Sequence, residues 1–530
     1  DMIRIRDISL PPMQDMSMLP AAAARQLRID QTQIKRIDIK RRSVDARKKN
    51  DVRLIYTVDV LVKGREDKIL KMAHNPKASI AKDDFYEPPN AQKLPEKRPV
   101  IVGFGPAGMF CALVLARSGF RPIVLERGLD AKTRHEKVQN FWQTGELDPS
   151  CNVQFGEGGA GTFSDGKLNT GVNDPRIYWA LEQFADAGAG AEILFDAKPH
   201  VGTDVLLTVV QNLREEIIAL GGEVLFGAKL TQILQENGAV SGVRYETLDG
   251  EHALCCDTLV LAPGHSARDT FRMLKDSGVA MQPKAFSMGV RIEHLQKTIN
   301  ESQYGPFAEN PALGAADYKL NVRLPDGTSA YTFCMCPGGY VVAAASEEGG
   351  VVTNGMSNCA RDGENANAAL LVTLTPEDFP DKSVLGGVLY QQQLERAAFL
   401  AGGSNYRAPA QLVGDFLAHK KSTAFGAVQP TYKPGVTLCD LHEVLPERIT
   451  KVLENALPEL DKRLRGFASP DAVMTAPETR SSSPVRILRD AARQSALKGL
   501  YPCGEGAGYA GGIMSAAVDG ILTAEAILKG

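Results

Sequence analysis

Residues 100–109 read Val-Ile-Val-Gly-Phe-Gly-Pro-Ala-Gly-Met, an apolar run followed by a glycine-rich turn. The apolar run predicts a short buried strand, and a helical pattern runs from Pro106 to about residue 118. Gly103 permits a tight turn, Gly105 lets backbone N–H groups approach a pyrophosphate, and Gly108 lets the helix pack closely on the strand. The amino terminus of that helix would face the phosphates with free N–H groups.

A second predicted strand follows the helix and strengthens this interpretation. It covers residues 123–125 and ends in Glu126, about 20 residues beyond the turn, where an acid can hold the hydroxyls of an adenosine ribose. Strand, turn, helix, strand and acid together predict a dinucleotide site. The alternative is a tight turn without a ligand.

The overall charge is unremarkable, but its distribution is uneven. The 530 residues carry a net charge of −3, and this length predicts two to four domains. Residues 1–98 hold 22 Lys and Arg against 14 Asp and Glu, or +8, which leaves 38 against 49, or −11, for the rest. The basic segment could meet an acidic partner, a nucleic acid or the acidic body of its own chain. The simplest interpretation is the solvated surface of a small accessory domain.

The cysteines and the hydropathy pattern predict a cytoplasmic protein. Nine cysteines are scattered without zinc-type or C-x-x-C spacing, which favours reduced thiols over a disulfide framework. We identify no signal peptide and no apolar run near 18 residues, so we expect no transmembrane segment. We interpret the leading Asp1-Met2 as an expression scar before the native start and leave it out of the fold argument.

Pattern and composition divide the chain into five segments of an α/β protein. Residues 1–75 predict a small basic β-α-β-β domain, with a ferredoxin-like fold as one interpretation. Residues 76–98 are rich in Pro, Lys and Asp, which is typical of a linker. Residues 99–280 alternate strands and helices and predict a Rossmann-like parallel sheet. Residues 281–470 predict an inserted α+β cap or substrate domain, and residues 471–530 return to the first sheet.

Several segments resemble motifs of the glutathione-reductase-type flavoprotein superfamily. Residues 103–108 and 126–128 resemble its adenosine-diphosphate site. Residues 259–264 resemble its second strand-end motif, with Pro263 in place of the usual threonine. Residues 504–506 resemble its C-terminal Gly-Asp motif, with glutamate in place of aspartate.

A fourth segment, residues 156–168, resembles the loop that runs along the pyrophosphate and the flavin ring. More narrowly, residues 336–339 and 479–486 are similar to those of bacterial FAD-dependent dehydrogenases that have an accessory N-terminal domain. The resemblance implies bound FAD and does not identify a substrate.

The motifs and the resemblance together assign a set of cofactor contacts. In the family the carboxylate at position 505 would hold a ribityl hydroxyl, a backbone amide near residue 228 could meet the adenine, and the final helix would direct N–H groups at the flavin. The expected contacts are Gly103, Gly105, Pro106, Ala107, Gly108, Glu126, Arg127, Gly159, Ala160, Gly161, Thr162, Lys167, Leu168, Ala228, Lys229, Pro263, Gly264, Gly504, Glu505, Gly511, Gly512 and Ile513.

A second dinucleotide domain is not expected. Between residues 128 and 500 the G-x-G-x-x-G spacing recurs only at residues 156–161, where no helix and no second strand ending in an acid follow. Any NAD(P)H would therefore bind transiently in the substrate cleft. No C-x-x-C lies near the flavin motifs, which disfavours disulfide-reductase chemistry.

Three residues are the candidates for catalysis. Arg480, together with Arg486, could clamp a substrate carboxylate or phosphate, with inter-domain ion pairing as the alternative. Glu478 is a candidate base or else the partner of Arg480, and Lys167 could contact the flavin. Cys336 and Cys503 are interpreted as small buried residues, with a position near the flavin ring as the alternative, and His265 as a cofactor-side or surface histidine. His294 has no companion ligand, and no metal site is expected.

We therefore expect an FAD-dependent oxidoreductase that acts on a small molecule between the FAD and cap domains. The alternatives are a flavin-dependent factor that associates with nucleic acid, suggested by the basic segment, and an electron-transfer flavoprotein at a membrane surface. Substrate, electron partner, oligomeric state and covalent attachment of FAD are left open by the sequence.

Overall fold

The N-terminal unit is a four-stranded antiparallel sheet covered by two helices. The computed structural model describes residues 1–530. The strands of this unit stand in the order β2-β3-β1-β4, so the chain order is β-α-β-β-α-β, as in ferredoxin-like units. Its elements are β1 Ile3–Leu10, α1 Leu19–Leu27, β2 Ile34–Asp45, β3 Arg53–Val62, α2 Glu66–Ala73 and β4 Ala78–Ile80.

An irregularity in β1 explains its apolar spacing. Ile3, Ile5 and Ile8 are all buried, although alternation would place residue 7 on the same face as the first two. The register against β3 shifts between Ile5 and Ile8, and Asp7 has a φ of 57°. This bulge returns Ile8 to the core side.

The expected β-α-β-β unit and the linker at 76–98 need correction. A second helix and a fourth strand complete the unit, and Ala78–Ile80 pairs with β1 inside the expected linker. This strand has three half-buried residues and no apolar alternation, so only its long-range pairing defines it. Further along, the Tyr86 ring packs edge-on against Trp179, which attaches the connection to the body.

The next part of the chain forms helices around a parallel sheet. Its elements are β5 Val100–Val102, α3 Pro106–Arg117, β6 Ile123–Glu126, α4 Ala131–Thr144, α5 Pro175–Asp186, α6 Thr203–Ala219, β7 Glu223–Phe226, β8 Lys229–Glu236, β9 Ala239–Thr247, β10 Gly250–Cys255, β11 Leu259–Leu261 and α7 Arg268–Asp276. Strands β8 to β10 form a separate antiparallel sheet.

A second unit follows, and the chain then returns to the parallel sheet. The remaining elements are β12 Met281–Pro283, β13 Phe286–Leu295, α8 Gln296–Tyr304, β14 Asn321–Arg323, β15 Ser329–Cys336, β16 Tyr340–Ala343, β17 Thr353–Met356, β18 Asn365–Leu374, α9 Gly386–Gly402, β19 Ala408–Leu412, α10 Val413–Leu417, β20 Val436–Leu438, α11 Glu447–Arg463, β21 Val473–Glu478, β22 Val485–Ile487, β23 Leu500–Pro502 and α12 Ile513–Lys529.

Two large sheets form the body of the molecule after the N-terminal unit. The parallel sheet has the order β23-β11-β5-β6-β7, so its last strand comes from the C-terminal segment. The other sheet has the order β14-β15-β18-β13-β21-β19-β20. Because β21 pairs with β13 and β19, this sheet extends to Glu478 and beyond the expected boundary at 470. The result is a mixed α/β fold in which both sheets meet near the end of β21.

The basic N-terminal unit contacts the body of its own chain. The Arg42 guanidinium forms an ion pair with Asp196 at 2.8 Å, and its backbone amide donates to Phe195 O. The Lys49 ammonium donates to Gln303 O at 2.7 Å. Part of the positive charge is therefore used within the chain. None of the helices has the length and apolarity needed to cross a bilayer.

Candidate active site

A cavity of about 620 Å³ lies where the two large sheets meet. One side is formed by the segments that follow β5, β11 and β23, at the carboxyl ends of the parallel strands. The other side comes from β13, β15, β17 and the end of β21. Ligand sites in open α/β sheets commonly lie at this carboxyl edge. All the predicted site residues line this cavity except Gly108, Thr162 and Leu168.

The three exceptions support the walls of the cavity. A Cβ at Gly108 would stand 1.9 Å from Gly103 O, so glycine is needed for α3 to pack on the turn. Thr162 is buried against Gly158 in the glycine-rich loop, and Leu168 belongs to the core beneath the parallel sheet. These residues shape the site without facing it.

Glu126 holds the first turn and the glycine-rich loop together. Its Oε2 accepts the Phe104 amide at 3.0 Å, and its Oε1 accepts the amides of Gly128 at 3.2 Å and Gly156 at 2.9 Å. A carboxylate has about four acceptor positions, so three are occupied by backbone donors. One position is left for an outside donor, which is fewer than the two ribose contacts that the sequence pattern predicts.

A buried arginine fixes the loop that carries Gly159, Ala160 and Gly161. Arg134 is fully buried and donates to four backbone carbonyls, those of Asn152, Val153, Glu157 and Gly159, at 2.8–2.9 Å. Burial lowers its pKa to about 10. No sequence pattern points to this residue, because its partners are main-chain atoms that any sequence supplies.

The amino terminus of α12 borders the cavity with unused donors. The first backbone hydrogen bond of this helix runs from Ala516 to Gly512, so the amides of Ile513, Met514 and Ser515 have no acceptor in the chain. A Cβ added at Gly511 or Gly512 would meet no protein atom within 4 Å. The helix therefore presents free N–H groups and open space on the cavity side.

The end of the cavity near β8 differs in detail from the expectation. The Ala228 amide donates to Glu126 O at 3.0 Å, so it cannot also bind an adenine. The Lys229 ammonium lies 3.6 Å from Glu246. Arg127 forms a two-point ion pair with Asp269 at 2.7 and 2.9 Å and lies over the Phe155 ring at 4.0 Å. At this end of the cavity the wall is therefore formed by the Arg127 guanidinium stacked on the Phe155 ring.

The expected clamp of Arg480 and Arg486 is not formed. Arg486 donates to Gly508 O and does not line the cavity. Arg480 is buried and shares Glu395 with Arg268, at 2.7 and 2.8 Å. Its Nε is buried without a hydrogen-bond partner. Arg480 therefore reaches the cavity from an internal ion network and keeps one buried donor unpaired.

The same network affects its neighbours. Although Glu395 is completely buried, Arg268 and Arg480 lower its pKa to about 2. Burial and the nearby Arg480 lower the pKa of His265 to about 3, so this histidine is neutral at neutral pH.

Glu478 is paired with Arg291 and not with Arg480. Its two oxygens accept from Arg291 at 2.7 and 3.3 Å, and Oε2 also accepts the Thr353 hydroxyl at 2.9 Å. Burial raises the pKa of Glu478, and Arg291 opposes that effect. With its oxygens occupied in this way, Glu478 is better suited to hold Arg291 in place than to act as a base.

Cys334 is a feature of the cavity that the sequence analysis missed. It lines the cavity at a bulge in β15 and has a φ of 46°, in the left-handed region. The Cys336 thiol lowers the pKa of Cys334, and Arg291 and Lys167 add to that effect although burial opposes it. Cys336 itself is buried and does not line the cavity. The C-x-C spacing was the only available signal.

Lys167 and Glu505 are two further polar groups without partners. The Lys167 ammonium forms no hydrogen bond or ion pair within the chain, and it lies close enough to Cys334 to lower its pKa. The Glu505 carboxylate accepts no hydrogen bond from the chain, and burial raises its pKa to about 7. A thiol, an ammonium and a carboxyl group that titrates near neutrality thus border one cavity, which is typical of a reaction site.

Comparison with known proteins gives a family. Residues 285–481 match a family model described as "FAD-dependent protein, C-terminal domain-like", and residues 2–61 match a model described as a domain of unknown function. An uncharacterized protein of Clostridium beijerinckii is 48% identical over 534 residues, covering 99% of this chain and 98% of that protein. The chain belongs to the same family as this clostridial protein.

Three solved flavoenzyme structures show weak similarity to the chain. Flavin-dependent brominase Bmp2 is 13% identical over 82% of this chain and 80% of its own, with a TM-score of 0.38. Glycine oxidase from Bacillus cereus is 11% identical over 82% and 95%, with a TM-score of 0.32. A Bacillus halodurans glycerol-3-phosphate dehydrogenase complexed with FAD is 12% identical over 81% and 65%, with a TM-score of 0.34. Similarity at this level assigns neither a reaction nor a site residue to the chain.

Proposed function

We propose that this protein is an FAD-dependent oxidoreductase that exchanges a hydride between bound FAD and a small substrate. One observation carries the proposal: a single cavity joins the glycine turn before α3, the Glu126 carboxylate, the glycine-rich loop and the free amides of α12. These are donors, an acceptor and open backbone of the kind that a dinucleotide requires.

The chain's residues suit each part of FAD. The remaining acceptor position on Glu126 would take a ribose hydroxyl, and the start of α3 with Gly159–Gly161 would hold the pyrophosphate. The open backbone at Gly511 and Gly512 leaves room for the flavin ring. When bound, FAD supplies the two-electron chemistry. The amides of residues 513–515 would stabilise negative charge at the edge of the ring.

The substrate end is assigned to the wall formed by the seven-stranded sheet. Lys167 and the free Nε of Arg480 would bind an anionic group such as a carboxylate. A proton released or taken up in the reaction would be held at Cys334 Sγ or Glu505, since both groups titrate near neutral pH. Arg291, fixed by Glu478, keeps Cys334 in an electropositive setting.

Anaerobic reduction tests the proposal directly. The FAD-loaded protein is mixed with a panel of 2-hydroxy acids, amino acids and NAD(P)H, and flavin absorbance is followed. We expect bleaching by at least one carboxylate donor, slower bleaching in Lys167→Met, and an unchanged rate in Lys462→Met, whose ammonium pairs with Glu459 outside the cavity. Bound FAD that none of the donors reduces would refute an enzymatic role.

A further inference from the structure

Two histidines and a glutamate meet at a place unrelated to the cavity. His419 follows α10, His442 lies in a short 3-10 turn after β20, and Glu454 lies on α11. One ligand atom from each lies within 4.8 Å of the other two. None of the three lines the cavity, so the proposed oxidoreductase chemistry does not use them.

The distances suit a small divalent ion. The His419 Nε2 lies 3.1 Å from Glu454 Oε1, and the His442 Nε2 contacts the same oxygen. Two ligands at about 2.1 Å from a tetrahedral zinc ion lie about 3.4 Å apart. An ion at the centre of this group therefore requires the His442 ring to move away from Glu454 Oε1.

The surroundings hold the ligands in place. The His442 Nδ1 lies 2.7 Å from Asp440 Oδ1, the carboxylate–histidine arrangement that orients metal-binding imidazoles. The His442 ring stacks between Phe416 at 4.5 Å and His419 at 4.1 Å. His419 has a φ of 52°, an uncommon backbone state for a residue other than glycine, and this turn brings its ring over His442.

We propose that His419, His442 and Glu454 bind a divalent transition-metal ion of the zinc type. Two imidazoles and one carboxylate are a ligand set that zinc accepts, and the exposed side of His419 leaves a fourth position for water. Binding displaces the proton held between His442 Nε2 and Glu454 Oε1. The ion would link three segments at the edge of the seven-stranded sheet, which gives it a stabilising role.

The ion pair alone is the competing explanation. His442 contacts carboxylates through both ring nitrogens, which satisfies a protonated imidazole without any metal. The two explanations differ in one measurable respect. A metal site takes up zinc at one ion per chain and loses it when a ligand is removed, whereas an ion pair does neither.

Zinc titration of the full chain separates them. The protein is dialysed against EDTA and titrated calorimetrically with zinc chloride. His419 is 61% exposed, so we expect His419→Ala to leave the fold intact. Its control is His252→Ala, at another exposed histidine. Glu454→Gln is compared with Glu459→Gln on the same helix. Thermal unfolding with and without zinc is the second readout.

We expect one zinc ion per wild-type chain, tenfold or weaker binding in His419→Ala and Glu454→Gln, and wild-type binding in both controls. Asp440→Asn should weaken binding about 10- to 100-fold. Zinc should raise the melting temperature of the wild type and not of the two ligand variants. Absence of zinc uptake, equal binding by all variants, or uptake abolished by alkylating the cysteines would overturn the proposal.

Discussion

One methyl group added at the amino terminus of α12 should weaken cofactor binding and leave folding unchanged. Gly512 has a φ of 175°, which alanine adopts without strain, and its Cβ would meet no protein atom within 4 Å. Gly512→Ala should therefore change the free energy of unfolding of the flavin-free protein by less than about 1 kcal/mol. The new methyl group stands where the flavin would approach the helix amides. Loss of one charge-assisted hydrogen bond, about 1.5–3 kcal/mol, weakens FAD binding about 10- to 150-fold.

The assay is a fluorescence titration of flavin-free protein with FAD, alongside thermal unfolding of the same sample. Gly190→Ala is the matched control, because Gly190 also precedes a helical turn, lies outside the cavity, and its Cβ would meet only the exposed Glu192 side chain. We expect wild-type affinity in this control. Equal FAD affinity in Gly512→Ala and wild type, with unchanged melting temperatures, would refute the placement of the flavin beside α12.

Four further changes have defined outcomes. The Cβ of Gly108→Ala would stand 1.9 Å from a carbonyl oxygen. This substitution should lower the free energy of unfolding, measured in urea, by about 1–3 kcal/mol, and it should also weaken FAD binding. Glu395→Gln should lower the free energy of unfolding by about 3 kcal/mol at pH 7. Because the pKa of Glu395 in the folded protein is lowered to about 2 from 4.5, the difference in stability between variant and wild type should shrink as the pH falls through that range. Glu505→Gln should stabilise the flavin-free protein at pH 8, by at most about 3 kcal/mol, and not at pH 4.5, since a pKa raised to about 7 makes ionisation destabilising above 4.5. In flavin-free protein, iodoacetamide should modify Cys334 at pH 7 before the exposed Cys255, and peptide mapping that shows the reverse order would contradict its lowered pKa.

The α/β class and the cavity edge follow from local sequence. Residues 100–126 combine apolar strands, glycines and an acid whose functions depend on nearby backbone, so their pattern can be read without the rest of the chain. The glycine at 108 is an example, because its requirement comes from a carbonyl five residues away. Elements that depend on long-range pairing cannot be recognised in this way. Strand β4 has no apolar pattern of its own and is defined only by its hydrogen bonds to β1.

Sequence reasoning failed mainly in the assignment of side-chain partners. Glu478 and Arg480 are two residues apart, which suggested a pair, yet their partners are Arg291 and Glu395 on distant elements. Arg134 binds only main-chain carbonyls, which leave no trace in the sequence. Likewise His419 and His442 are 23 positions apart and meet only because α10, β20 and α11 pack at one corner of a sheet.

Equilibrium binding of FAD and FMN to the flavin-free protein tests the central claim most directly. Because Glu126 and the start of α3 are assigned to the adenosine and pyrophosphate half, we predict one FAD per chain and binding of FMN at least about 100-fold weaker, or about 2.7 kcal/mol. Absence of FAD binding, or equal affinity for the two flavins, would contradict the account.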